Sequence, residues 1–187
     1  MAIEVELKAR VTDRSRVRGA LKARDPGEAS TYRDTYYDWP DRRLLRNGRQ
    51  ELRVRVIEVG GRTRYVLTFK GTMLDEASTP EYETGVADAV AIDQVLSALG
   101  LERVISYTKQ CENFTFDVRD HRIVATLVTV PELDGTFIEI ETLVADGQPV
   151  DSGREAIKGV LTDLGLGEND LEPTFYVDMV AGRRAEA

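Results

Sequence analysis

One cysteine and one histidine in 187 residues leave the chain short of the ligands that build zinc sites, disulfide frameworks and most nucleophilic triads. Cys111 has no second thiol to pair with and no histidine near it in sequence, so it reads as a partly buried thiol; His121, in the turn-like RDHR, reads as a solvated loop residue. Basic excess is missing too. The net charge is -8, and no group of Lys and Arg stands free of nearby acids, which excludes nucleic acid and anionic membrane as partners bound by charge neutralisation. No apolar run is long enough to span a bilayer. The opening MAIEVELK lacks the basic stretch and apolar run of a secretory leader, so a cytoplasmic protein is expected. Repeats, low-complexity segments and linkers are absent as well, and the length suits one domain over residues 1–182, with 183–187 as a frayed tail.

What the chain does have is charge on alternate residues. In IEVELKAR, Glu4, Glu6 and Lys8 interleave with Ile3, Val5 and Leu7, so a strand here puts every charge on one face. The pattern returns at Arg53 and Arg55, Thr68 and Lys70, Glu81 and Glu83, and Glu139 and Glu141. Strands are expected over 3–10, 32–38, 50–59, 62–70, 80–86, 104–117, 122–130 and 136–144, with Gly60-Gly61 as a two-residue hairpin turn and a second turn at 119–121. Helices are expected after Thr12, Asp88 and Asp151, each behind a capping residue, and a last short one over FYVDMVAG. Antiparallel strands with helices between strand groups predict an α+β fold built on a barrel or strongly curved sheet.

A sheet with one wet side would simply turn such charges to solvent. Their repetition over several strands favours the other arrangement, in which helices cover the apolar faces and the charges line a lumen. Glu4, Glu6, Glu81, Glu83, Glu139 and Glu141 would then meet Lys8, Arg53, Arg55, Lys70 and Lys109. Close carboxylates repel by roughly 4 kcal/mol per pair at an effective dielectric of 20, so cations must join them. A carboxylate-only set suits Mg²⁺ or Mn²⁺, which take further ligands from water and substrate phosphates, while the arginines fork onto phosphate oxygens and the lysines act as point charges along a polyanion. Two further acids have ordinary roles. Glu51 reads as a solvent-facing or salt-bridged strand residue, and Asp38, before Trp39 and Pro40, as a turn cap.

These residues resemble the CYTH superfamily of triphosphate tunnel metalloenzymes, closest to its bacterial class IV adenylyl cyclase-like and thiamine triphosphatase-like branch. The likeness runs from Glu4 to Tyr176: EVELK at the start, YYD at 36–38, LRVR at 52–55, TFK ending at Lys70, EYE at 81–83, TKQ at 108–110 and GTFIEIE at 135–141. It implies an eight-stranded antiparallel tunnel with flanking helices. Glu4, Glu6, Glu139 and Glu141 would hold Mg²⁺ or Mn²⁺; Arg53, Arg55, Lys70 and Lys109, with Glu81 and Glu83, would line the triphosphate or nucleotide site; Lys8 would contact substrate and position or activate the attacking water. A homodimer is a possible assembly. Three departures stand out: Cys111 where the family has the Arg of Lys-x-Arg, Val128 or a neighbour where it has a metal-binding Asp, and Thr174 where it has a basic residue. Arg64, Arg119 or Arg122 are candidates to replace the lost cations. Three activities stay open: hydrolysis of an organic or inorganic triphosphate, cyclisation of ATP to cyclic AMP and diphosphate, or a repurposed tunnel for another anionic metabolite.

Overall fold

The computed structural model describes residues 2–145 and 148–186. Eight strands, β1 (Ala2–Val11), β2 (Glu28–Asp38), β3 (Glu51–Val59), β4 (Arg62–Lys70), β5 (Ser78–Val86), β6 (Glu102–Val118), β7 (His121–Thr129) and β8 (Thr136–Ala145), close into one antiparallel barrel in the order β1-β5-β4-β3-β2-β6-β7-β8. The β3–β4 hairpin turns on Gly60 and Gly61 at φ 55° and 74°, a left-handed pair that glycine adopts without steric cost. Val118 pairs with His121 across the expected second turn. Closure removes the free edges that a charged, curved sheet would otherwise expose.

Helices α1 (Arg14–Lys22), α2 (Arg43–Arg46), α3 (Ala89–Ala98), α4 (Val150–Asp163) and α5 (Tyr176–Ala185) pack outside or across one end. Asp88 caps α3 as expected, and α1 is capped one residue after the expected Thr12 by Asp13, whose carboxylate accepts from the Arg16 amide. Asp151, expected to cap α4, lies inside its first turn, and Pro149 occupies the cap with no side-chain hydrogen bond. The tail expected from residue 183 is helical through Ala185, with Arg184 donating to the Ser106 carbonyl and to Glu132. α2 has no counterpart in the sequence reading, being a single turn too short for an apolar period.

Outward side chains carry the core. Ile3 and Val5 on β1 and Ile138 and Ile140 on β8 pack against Ala156, Ile157 and Val160 of α4, while Phe114 and Phe116 on β6 meet Val17 and Leu21 of α1. Val54 on β3 and Tyr37 on β2 pack with Leu96 of α3. The alternate residues of the same strands therefore face the lumen, as the charge pattern requires. The seam between β1 and β5 is short: it pairs only Ala2–Val5 with Ser78–Glu81, while β1 and β8 pair along ten positions. Beyond that seam the segment after α4 lies along β1, with Ala9 bridging Leu171 and the Glu172 amide donating to the Lys8 carbonyl at 2.8 Å.

Candidate functional site

Register brings the two Glu-x-Glu strands together. Glu6 lies opposite Glu141 and Lys8 opposite Glu139 across the β1–β8 pair, so acids separated by more than a hundred residues share one patch of the lumen. Carboxylate oxygens of Glu4, Glu6 and Glu141 lie within 4.8 Å of one another. This cluster could hold a metal. Burial raises the Glu4 carboxyl above its ordinary range even against Lys70, and burial with the charges of Glu4 and Glu6 pushes Glu141 well above it. Lys70 reaches this cluster from β4, bonding Glu4 and lying 3.4 Å from Glu6 and 3.6 Å from Glu81. Burial alone would lower its pKa; Glu4, Glu6 and Glu81 outweigh that and raise it well above the usual lysine range.

The fourth expected ligand, Glu139, is turned elsewhere. It accepts from Lys109 Nζ at 2.8 Å, outside the three-carboxylate cluster. Glu81 adjoins Lys70, but Glu83 stands apart near the rim, exposed and accepting from the Thr68 hydroxyl at 3.1 Å. Deeper in the lumen, Arg55 forks onto Asp34 with Nε–Oδ1 at 2.7 Å and Nη2–Oδ2 at 2.8 Å, and Arg53 Nη1 lies 3.9 Å from the same carboxylate. Asp34 is fully buried; burial pushes its carboxyl up, but Arg55 and Arg53 prevail and hold it well below the ordinary carboxylate range. Among the described residues, Arg53 keeps a buried Nε without a hydrogen-bond partner.

Lys8 and Lys109 both approach one ring in the lumen: their ammonium nitrogens lie 4.3 and 4.2 Å from the centroid of Tyr176, the first residue of α5. Burial lowers the Lys8 pKa, with Glu139 and Glu6 opposing, and Lys8 donates to the Thr174 carbonyl. Tyr176 packs edge-on against Phe137 at 5.4 Å and tilted against Tyr107 at 6.4 Å, and Tyr107 stacks on Tyr36 at 5.8 Å. The Tyr176 hydroxyl is buried with no hydrogen-bond partner among the described residues.

Sequence reasoning missed Asp34, Tyr36, Tyr107 and Tyr176 as lumen residues. Asp34 and Tyr36 alternate on β2 as the glutamates do on β1, which is a readable signal; Tyr176 gives none, because its placement depends on how α5 docks. Glu51 corrects the expectation made for it. It lines the lumen rather than facing solvent, and burial raises its carboxyl pKa. Asp38 is the cap expected, accepting from the amides of Trp39, Leu44 and Leu45. Cys111 is buried opposite Val128 in a largely apolar cluster, and burial pushes its thiol up to about 12. The proposed replacement cations do not reach the lumen: Arg119 pairs with Glu155, Arg122 with Asp117, and Arg64 is exposed. Thr174 offers its backbone carbonyl, not a charge.

The lumen holds a cavity of about 90 Å³ walled by Glu4, Glu6, Lys8, Arg53, Arg55, Lys70, Lys109, Glu139 and Glu141. It adjoins an outer chamber of about 180 Å³ where the short β1–β5 seam leaves Leu7, Met73, Leu171 and Phe175 around Glu4, Glu6, Lys8 and Lys70. No described helix is long and apolar enough to cross a membrane.

Residues 2–176 match the family described as CYTH domain. No curated protein matches the chain in sequence. Among solved structures, a Pyrococcus horikoshii protein is similar at 26% identity and TM-score 0.81, over 97% of this chain and 99% of that one. A Vibrio parahaemolyticus protein described as a candidate adenylate cyclase shares 23% identity at TM-score 0.78, over 96% of this chain and 98% of that one. A Hippeastrum protein described as a candidate adenylyl cyclase with a dominant triphosphatase activity shares 15% identity at TM-score 0.64, over 100% of this chain and 96% of that one.

Proposed function

The chain belongs to the CYTH domain family, and from that membership we propose that it is a metal-dependent triphosphatase. The observation that carries the reading is the pairing of β1 with β8, which sets three carboxylates within 4.8 Å of one another beside five cationic side chains in one closed lumen. The carboxylates fit a divalent ion: they are hard oxygen donors, and burial raises Glu4 and Glu141 because their charge is incompletely balanced. Glu4, Glu6 and Glu141 would hold Mg²⁺ or Mn²⁺, with Glu139 on the same strand as Glu141 completing the set from its present partner Lys109. The ion supplies electrostatic stabilisation of charge on the phosphoryl oxygens.

The protein's own groups do the rest. Asp34 fixes Arg55, and through it the spacing of Arg53, so that two guanidinium groups stand preorganised for phosphate oxygens instead of collapsing onto each other. Lys109 and Lys70 extend the positive wall, and Glu81 holds Lys70 in place. Lys8, with its pKa lowered by burial, is placed to orient a water at the terminal phosphate and to hold its proton. The relative from Hippeastrum, with its described triphosphatase activity, supports hydrolysis over cyclisation. Purified protein should release orthophosphate from inorganic triphosphate or a nucleoside triphosphate with Mg²⁺ or Mn²⁺, and a Glu4→Ala, Glu6→Ala double variant should not. Absence of release from every such substrate refutes the reading; cyclic AMP with diphosphate as the sole products from ATP would replace it with the cyclase.

A further inference from the structure

Tyr176 is 5% exposed and lines the lumen cavity together with Lys8, Lys109 and Glu139. Both ammonium groups lie over its ring, at 4.3 and 4.2 Å from the centroid. Other side chains fix the ring in turn: Phe137 packs edge-on at 5.4 Å, Tyr107 lies tilted at 6.4 Å, and Val180, one turn further along α5, is fully buried. The hydroxyl is the part of this side chain with nothing to do. It is buried without a hydrogen-bond partner among the described residues, which costs stability and leaves it no surface to offer a substrate.

Each lysine has a carboxylate competing for it. Lys8 faces Glu139 across the β1–β8 register, and Lys109 donates to that same Glu139 at 2.8 Å. A carboxylate that captures an ammonium group cancels the charge a polyanion needs, whereas a ring face attracts it through the quadrupole and leaves the charge in place. We propose that Tyr176 is a positioning residue for the triphosphate reaction, its ring a shared seat that fixes the Lys8 and Lys109 ammonium groups in the lumen with their charge available to phosphate oxygens. The seat matters most when Glu139 turns to the metal ion, because the ring is then the partner that stays with Lys109. Lysine side chains are long and flexible, so holding two of them in advance also spares the rotamer entropy that phosphate binding would otherwise cost. This inference rests on the proposed reading of the lumen and gives a part in it to a residue of the C-terminal helix.

Two variants separate the ring from the hydroxyl. Tyr176→Leu keeps an apolar side chain but no π face, and should lower kcat/KM for inorganic triphosphate with Mg²⁺ about tenfold; Tyr176→Phe should restore it to within about twofold of wild type. Where leucine fails to fold, as judged by urea unfolding, Tyr176→Met fills the site instead. The contact itself is read by NMR: the εCH₂ protons of Lys8 and Lys109, assigned with Lys8→Met and Lys109→Met, should be shifted upfield by the ring in wild type and Tyr176→Phe and return to the ordinary lysine position in Tyr176→Leu. A phenylalanine variant as impaired as the leucine one, full activity in Tyr176→Leu, or unshifted lysine protons in wild type would overturn the seat while leaving the lumen reading intact. No turnover of any triphosphate by wild type would overturn the lumen reading, and the lysine shifts would then decide by themselves whether the ring holds both ammonium groups.

Discussion

At the scale of single residues, the lumen is organised by one carboxylate that the charge alternation did not single out. Asp34 is fully buried and forked to Arg55, so replacing it strands a guanidinium in a dry site. Asp34→Asn should destabilise the fold by about 3 kcal/mol, read from urea unfolding at pH 7, because breaking a buried pair exceeds the worth of forming it. The pH dependence has a definite sign. The carboxyl is held below its ordinary value in the folded state, so its contribution is present above the unfolded pKa of about 3.9 and fades as pH falls below that toward the folded value. The stability gap between wild type and variant should be level from pH 8 to 5 and shrink in stronger acid; a gap that widens on acidification would contradict this. Lys8 makes a second case. Lys8→Met should lower kcat by about two to three orders of magnitude with little change in substrate KM, measured by orthophosphate release, because a group that orients the water and takes its proton acts mainly in the transition state. An equal loss in KM alone would make it a binding group.

Elements set how far these side chains can move. α4 lies so close to the barrel that a Cβ at Gly153 would meet the Val144 and Thr142 methyls at 3.0 and 3.1 Å, and both neighbours are strand residues on β8. Gly153→Leu should lift α4 from β1 and β8 and cost about 1–3 kcal/mol in urea unfolding, despite the better helix propensity of leucine. An unchanged midpoint would show that the helix can slide. α5 is the other positioning element, since its first turn places Tyr176 against Lys8 and Lys109 while Val180 is fully buried beneath it. Helix existence here was legible in FYVDMVAG. Its docking was not, because the contacts that fix it come from β1, β6 and β8, far away in sequence.

On the scale of the whole molecule, barrel closure concentrates acids and bases in one lumen, with Lys70 against Glu4, Glu6 and Glu81 and Lys109 against Glu139, beside a three-carboxylate cluster that could hold a cation. Burial raises the carboxyl groups of Glu4 and Glu141, so their folded-state contribution is favourable below the ordinary carboxylate pKa and is lost as pH rises through the raised values. A divalent ion binds the ionised forms. Saturating Mn²⁺ should therefore raise Tm by about 5 °C or more at a hundredfold excess over Kd, the increment should grow from pH 5 to pH 8, and Glu141→Gln should abolish it in thermal unfolding scans. Equal increments in wild type and variant would place the ion elsewhere. The sequence by itself determined the strands, their two faces and the chemistry of the inner one, because a period of two is a local property that alternation of Glu, Arg and Lys with Ile, Val and Leu writes out directly. Partner choice inside the lumen was decided only by the tertiary structure: strand register sends Glu139 to Lys109, Lys70 to Glu4 and Asp34 to Arg55, and strand length leaves Glu83 at the rim. Such pairings depend on distances between strands remote in the chain, and a Coulomb energy that varies with those distances has no signature in the spacing of residues along one strand.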